Sequence, residues 1–111
     1  MREETRRAVA NAVLPRGEGG HRALFSQEAN AWTQMGWTDG GFFDHGANAH
    51  VVRTDEGLFH HGLNQHIRLE VEGSQFRGYD HDSERRFNGT VQGQTVIVYD
   101  PAAGRHYLFK L

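Results

Sequence analysis

The sequence predicts an α+β domain in which two N-terminal helices pack on a curved antiparallel sheet that ends in a five-stranded meander. Apolar residues recur at helical spacing over the first third of the chain, apolar and polar residues alternate from His66 to the C-terminus, and turn residues punctuate that alternation. At 111 residues the chain reads as one domain with a helical segment over 1–36, an irregular His- and Gly-rich segment over 37–65 containing a hairpin, and a β-meander over 66–111.

Each element has a local reason. Glu3 and Glu4 stand where the positive end of a helix dipole favours carboxylates, and Ala8, Val9, Ala12 and Val13 form a stripe that stops before Pro15. Pro15 to Gly20, with three glycines, reads as a linker. Leu24, Phe25, Glu28, Ala29, Ala31, Trp32 and Met35 follow at three-and-four spacing and predict the second helix, ended by Gly36. Thr54-Asp55-Glu56-Gly57 predicts a hairpin turn joining Ala49–Arg53 to Leu58–Gly62, with Thr54 opposite Leu58 and therefore His50 and His60 on one face.

In the meander, a Gly73-Ser74 turn pairs Glu72 with Gln75 and sets Glu70 against Arg77, which cross-strand charge favours. The next turn sets Gly78 opposite Phe87 and Phe76 opposite Gly89. A Gln92-Gly93 turn sets Gly89 opposite Val96, and the loop Pro101–Gly104 sets Val98 opposite Tyr107. Together these registers put Ile67, Leu69, Val71, Phe76, Phe87, Val91, Val96, Val98, Tyr107, Phe109 and Leu111 on one face, which the two helices would cover.

Tyr79-Asp80, four residues, then Arg85-Arg86-Phe87 recurs as Tyr99-Asp100, four residues, then Arg105-His106-Tyr107. This echo resembles the tyrosine-aspartate repeats of Rhs-type β-shell proteins, in which a Tyr-Asp pair precedes a Gly-Arg turn. Only the second copy has the Gly-Arg, as Gly104-Arg105, and two copies are too few for such a shell. The echo is read as two hairpin corners of the same kind, and no family is assigned.

Composition narrows the function. The formal charge of −2 supplies no global attraction to nucleic acid or anionic lipid. The absence of cysteine excludes disulfides, thiolate nucleophiles and cysteine metal sites. No apolar run suggests a signal segment or a membrane span, so the expected location is cytoplasmic and no membrane partner is expected. Ser26, Ser74 and Ser83 lack a nucleophile elbow, Asp80–Glu84 lacks the ligand order of a calcium loop, and Gly17–Gly20 follows no strand; no motif argues for an enzyme.

Two constellations remain. Arg68, Tyr79, Arg86, Tyr99 and His106 fall in one outward row across the meander, with Arg77 and Asn88 in the adjacent row, a pattern suited to polyanions or single-stranded nucleic acid. Eight histidines make His45, His50, His60, His66 and His81 the candidate ligands of a divalent metal, although no cofactor is expected and no metal-binding spacing is present. The reading taken is a non-enzymatic binding or assembly module that offers a sheet face or the edge strand 105–111 to a protein partner or a second copy. A small metal-dependent enzyme using the His-rich middle region, and polyanion or nucleic-acid binding on the Arg/Tyr face, are the alternatives.

Overall fold

The computed structural model describes residues 1–111 and shows a closed antiparallel β-barrel wrapped around one helix. Helix α1 spans Glu3–Val13, and the strands are β1 His21–Ser26, β2 Ala31–Thr38, β3 Gly41–Asp44, β4 Ala49–Thr54, β5 Gly57–His60, β6 Gln65–Glu72, β7 Gln75–Asp80, β8 Arg85–Gln92, β9 Thr95–Asp100 and β10 Arg105–Lys110. Every strand pairs with its sequence neighbours, and β1 pairs with β10 through Phe25↔Lys110 and Ser26↔Phe109 to close the ring. The expected α+β architecture of two helices on an open sheet is thus replaced by an all-β barrel with a single helix.

Only the first predicted helix forms, and it fills the bore rather than covering a face. Ala8, Val9 and Ala10 are fully buried, and their small side chains let a helix sit inside a ring whose inner wall carries Leu24, Met35, Phe42, Val51, Leu58, Ile67, Phe87, Val96, Val98 and Phe109. The C-terminal end of the helix, where carbonyls lack intrahelical partners, is held by Arg22, which donates to Asn11 O at 2.8 Å and Asn11 Oδ1 at 2.9 Å, and by Arg53, which donates to Ala12 O at 3.2 Å.

Residues 21–36, expected as the second helix, form the β1–β2 hairpin. Phe25 and Trp32 are seven residues apart, which puts them on one helical face but equally makes them a cross-strand pair around a four-residue turn. The structure takes the second option, with Leu24 and Met35 inward and the two aromatic rings in tilted contact outside, their centroids 5.1 Å apart. The β4–β5 turn is also shorter than expected: Thr54 pairs with Gly57, not Leu58, so Val51 faces His60. A one-residue change of register reverses faces, and His50 therefore points out while His60 points in.

From β6 onward the strands and their inward face follow the alternation, with Val71 at the rim and exposed. One register differs. The β8–β9 turn is Gly93-Gln94, with Gly93 at φ 60°, so Gly89 opposes Val98 and Val91 opposes Val96. Gly78 and Gly89 receive the rings of Phe87 and Phe76 respectively, where a Cβ would collide with the ring and with the backbone of the adjacent strand. Strand β10 is bonded to β9 along its length and to β1 through Phe109 and Lys110, with Gln27 N–H donating to Leu108 O, so the free edge expected over 105–111 is closed by β1 at its C-terminal end. No helix is long and apolar enough to cross a membrane.

Candidate functional site

The barrel consists of five hairpins built on one pattern. Each has an outward aromatic, an inward polar residue next to it, a left-handed residue four positions after the polar one, and an outward partner two positions later still. The copies are Phe25/Ser26/Asn30/Trp32, Phe43/Asp44/Asn48/His50, Phe59/His60/Asn64/His66, Tyr79/Asp80/Glu84/Arg86 and Tyr99/Asp100/Gly104/His106. The last two contain the echo visible in the sequence. The first three escaped it because they lack a Tyr-Asp pair, though the recurring Asn-x-Trp/His after each turn was a signal.

The inward polar residues cap their own turns. Asp44 Oδ1 accepts from Gly46 N at 2.8 Å and Ala47 N at 3.0 Å, Asp80 Oδ1 from Asp82 N at 3.1 Å, Asp100 Oδ1 from Ala102 N at 3.1 Å, Ser26 Oγ from Ala29 N at 3.2 Å, and His60 Nδ1 from Leu63 N at 3.2 Å. They also form a polar ring around the first turns of α1. Arg7 Nε donates to Asp44 Oδ2 at 2.7 Å, Ser26 Oγ donates to Glu3, and the Met1 nitrogen donates to Asp100 Oδ2 at 3.3 Å.

Outside, the aromatics form a belt. Phe43 is flanked by His45 and His50, each with ring centroids at 4.8 Å, and Phe59 by His61 and His66 at the same separation. Tyr79 touches His81 at 4.8 Å and lies opposite Arg86, and Tyr99 lies against His106 at 4.4 Å.

The seven residues proposed for the outer face all lie on the outside of β6–β10, but in two staggered rows. Arg68, Tyr79 and Arg86 are cross-strand neighbours, and Arg77, Asn88, Tyr99 and His106 form the second row. The break between Arg86 and Tyr99 follows from the β8–β9 register, which moves the partner strand by two residues and keeps the face. Two of the arginines have acidic neighbours: Arg77 Nε lies 3.0 Å from Glu70 and Arg68 Nε 3.6 Å from Glu56.

The metal candidates do not converge. A phenyl ring stands between His45 and His50, His66 and His81 lean on Phe59 and Tyr79, and His60 is alone inside the wall. No group of three or more His, Asp or Glu side chains gathers as a metal centre needs.

His60 is the exception among the turn caps. It is 0% exposed, its Nδ1 is occupied by Leu63 N–H, and its Nε2 has no partner. An accepting Nδ1 places the ring proton of the neutral form on Nε2. Burial holds its pKa below the ordinary histidine value and Arg7 pushes the same way, against the opposing pull of Asp44 and Glu4. The ring lines a recess of about 300 Å³ between α1 and the β3–β4 and β5–β6 turns, shared with Glu4, Arg7, Gly46, Ala47, Gly62 and Leu63. The sequence offered His60 as a metal candidate; in the structure it caps the β5–β6 turn beside Glu4 and Arg7, which the sequence did not single out for a site and which reach the recess because the helix lies in the bore.

Neither a family model, a curated protein nor a solved structure matches this chain.

Proposed function

We propose that the protein is a non-enzymatic binding module whose outer belt engages a polyanionic partner. The observation that carries this reading is the repeated use of one outward slot. Opposite the aromatic of each hairpin stand Trp32, His50, His66, Arg86 and His106, and two positions beyond the aromatic stand His45, His61 and His81 in three copies. The inner wall and the turn caps account for the barrel without these side chains. Six of the eight histidines lie on this one belt, beside Arg86.

The geometry favours charge over stacking. Imidazoles already lie against Phe43, Phe59, Tyr79 and Tyr99, which leaves those rings less free to stack on bases. Single strands, duplexes and acidic polypeptides should therefore bind alike.

Fluorescence anisotropy of the full chain with a labelled oligothymidylate, a DNA duplex and polyglutamate tests this. Binding is expected at about 50 mM salt, with a log-log salt slope on DNA that falls by roughly 0.7 to 0.9 in Arg86→Ala. Failure of all three to bind, or a salt slope that Arg86→Ala leaves unchanged, rejects the reading.

A further inference from the structure

We propose that the outer face across the β10–β1 seam docks a protein segment whose apolar side chains are flanked by carboxylates. Such docking does not depend on polyanion binding, because only Phe25 and Trp32 of the residues concerned belong to the belt.

Four large apolar side chains follow one another on the solvent side of the wall. Ile97 opposes Leu108 across β9 and β10, Phe25 opposes Trp32 across β1 and β2, and the Phe25↔Lys110 pair makes Leu108 and Phe25 diagonal neighbours. Their outward direction follows from alternation, since Leu24, Val96, Val98, Tyr107 and Phe109 beside them are buried in the core. Trp32 is 58% exposed, and Phe25, Ile97 and Leu108 are partly exposed. Single exposed apolar residues are ordinary, whereas a contiguous set with a polar border marks a contact surface. Thr90 and Thr95 border this stripe on one side and Gln27 and Gln34 on the other, with Tyr99 and His106 beyond Ile97 and Leu108. The outer positions of β6–β8 carry charge instead, as Arg68, Glu70, Arg77 and Arg86.

The stripe straddles the shortest joint of the barrel. Strands β1 and β10 share two paired positions, whereas each shares six with its other neighbour. An occupant that touches Leu108 and Trp32 together spans this joint and fits only the closed ring, so its binding stabilises the folded state.

Charge selects the occupant. Lys110 is exposed beside the middle of the stripe, its Nζ lies 5.5 Å from the centre of the Phe25 ring, and no carboxylate pairs with it. Arg105 on the same strand is already neutralised by Glu28 at 2.7 Å. A partner with a carboxylate beside its apolar groups covers the stripe and completes an ion pair with Lys110. A second copy on a two-fold axis would bring its own Lys110 to the same place. From β9 to β2 the stripe crosses three strand spacings, about 14 Å, which a helix of about ten residues covers. A contact of this size is at the low end of specific interfaces, so a dissociation constant of about 1 to 100 μM is expected.

The probes are two synthetic amphipathic helices of about 18 residues with the same leucine stripe, one flanked by glutamates and the other by lysines. Fluorescence anisotropy with the full chain should show the glutamate helix binding at least about tenfold more tightly than the lysine helix. Trp32→Ser, at an exposed position, should fold and weaken the glutamate helix at least about tenfold. Lys110→Glu should reverse the order of the two helices. Saturating glutamate helix should raise the melting temperature of the parent chain and not that of Trp32→Ser. Polyglutamate, which carries the charge without the apolar groups, should not displace it. No binding of the glutamate helix, equal binding of both helices, an unchanged order in Lys110→Glu, undiminished binding in Trp32→Ser, or displacement by polyglutamate overturns the proposal. A dimer in sedimentation velocity, or binding to phosphatidylserine vesicles, that Trp32→Ser abolishes would assign the face to a second copy or to a lipid surface and would likewise overturn it.

Discussion

Arg7 on the central helix donates its Nε to Asp44 Oδ2 at 2.7 Å, and both side chains are buried inside the barrel wall. Asp44 also caps the β3–β4 turn through Gly46 and Ala47, so one carboxylate ties the plug to the wall and shapes the hairpin. Removing one member of a buried pair leaves an uncompensated charge. Arg7→Met is expected to destabilise the fold by about 3 to 5 kcal/mol. In Arg7→Met combined with Asp44→Asn, whose amide oxygen still caps the turn, much of that loss should be recovered. Urea denaturation of the single and double variants measures the coupling, and equal losses in both would show that the pair's charge is immaterial.

His60 makes stability depend on pH in a defined direction. Its folded-state pKa is lowered by burial, so the unfolded chain binds the proton more readily than the native one. The contribution is complete above the unfolded value of about 6.5 and is lost as the pH falls through that value towards the folded one. Within that window the slope should be on the order of 1 kcal/mol per pH unit. Thermal melts from pH 8 to about pH 5 should show a smaller decline for His60→Ser than for the parent, and parallel curves would contradict the assignment.

Gly89 lies beneath the Phe76 ring with the Ile97 carbonyl close to where a Cβ would stand. Gly89→Ala must displace both, and the carbonyl belongs to the neighbouring strand rather than to a flexible side chain. The expected loss is about 3 kcal/mol, at the upper end of the range for overpacking. Gly73→Ala, at a turn position with open space but φ 62°, should cost less, about 1 to 2 kcal/mol. Comparing the two in chemical denaturation separates steric from backbone effects, and a reversed order would refute the packing account.

Helix α1 and the strands from Gln65 onward were legible because their signals are local. Glu3, Glu4 and the stripe ending before Pro15 define the helix, and the alternation from Ile67 to Phe109 assigns inward and outward residues whatever surrounds the sheet. The hairpin at 21–38 was not legible, because Phe25 and Trp32 satisfy a helix face and a cross-strand pair equally well. What separates the two is the rest of the ring: β2 finds β3 as a partner through Met35↔Asp44, and β1 finds β10.

Closure and the candidate recess were decided only by tertiary structure. Phe25↔Lys110 joins segments from distant regions of the chain, and no periodicity within either strand reports that they meet. Glu4 reads in the sequence as a helix-dipole carboxylate and His60 as one histidine among eight, and nothing there sets Arg7 apart. They come together because a helix of small residues is the body that fills this bore, and its first turns face the inner ring of turn caps. Alternation along a strand records which side of the wall a residue occupies; which residues meet across the bore depends on the strand pairings that close the ring and on the helix inside it.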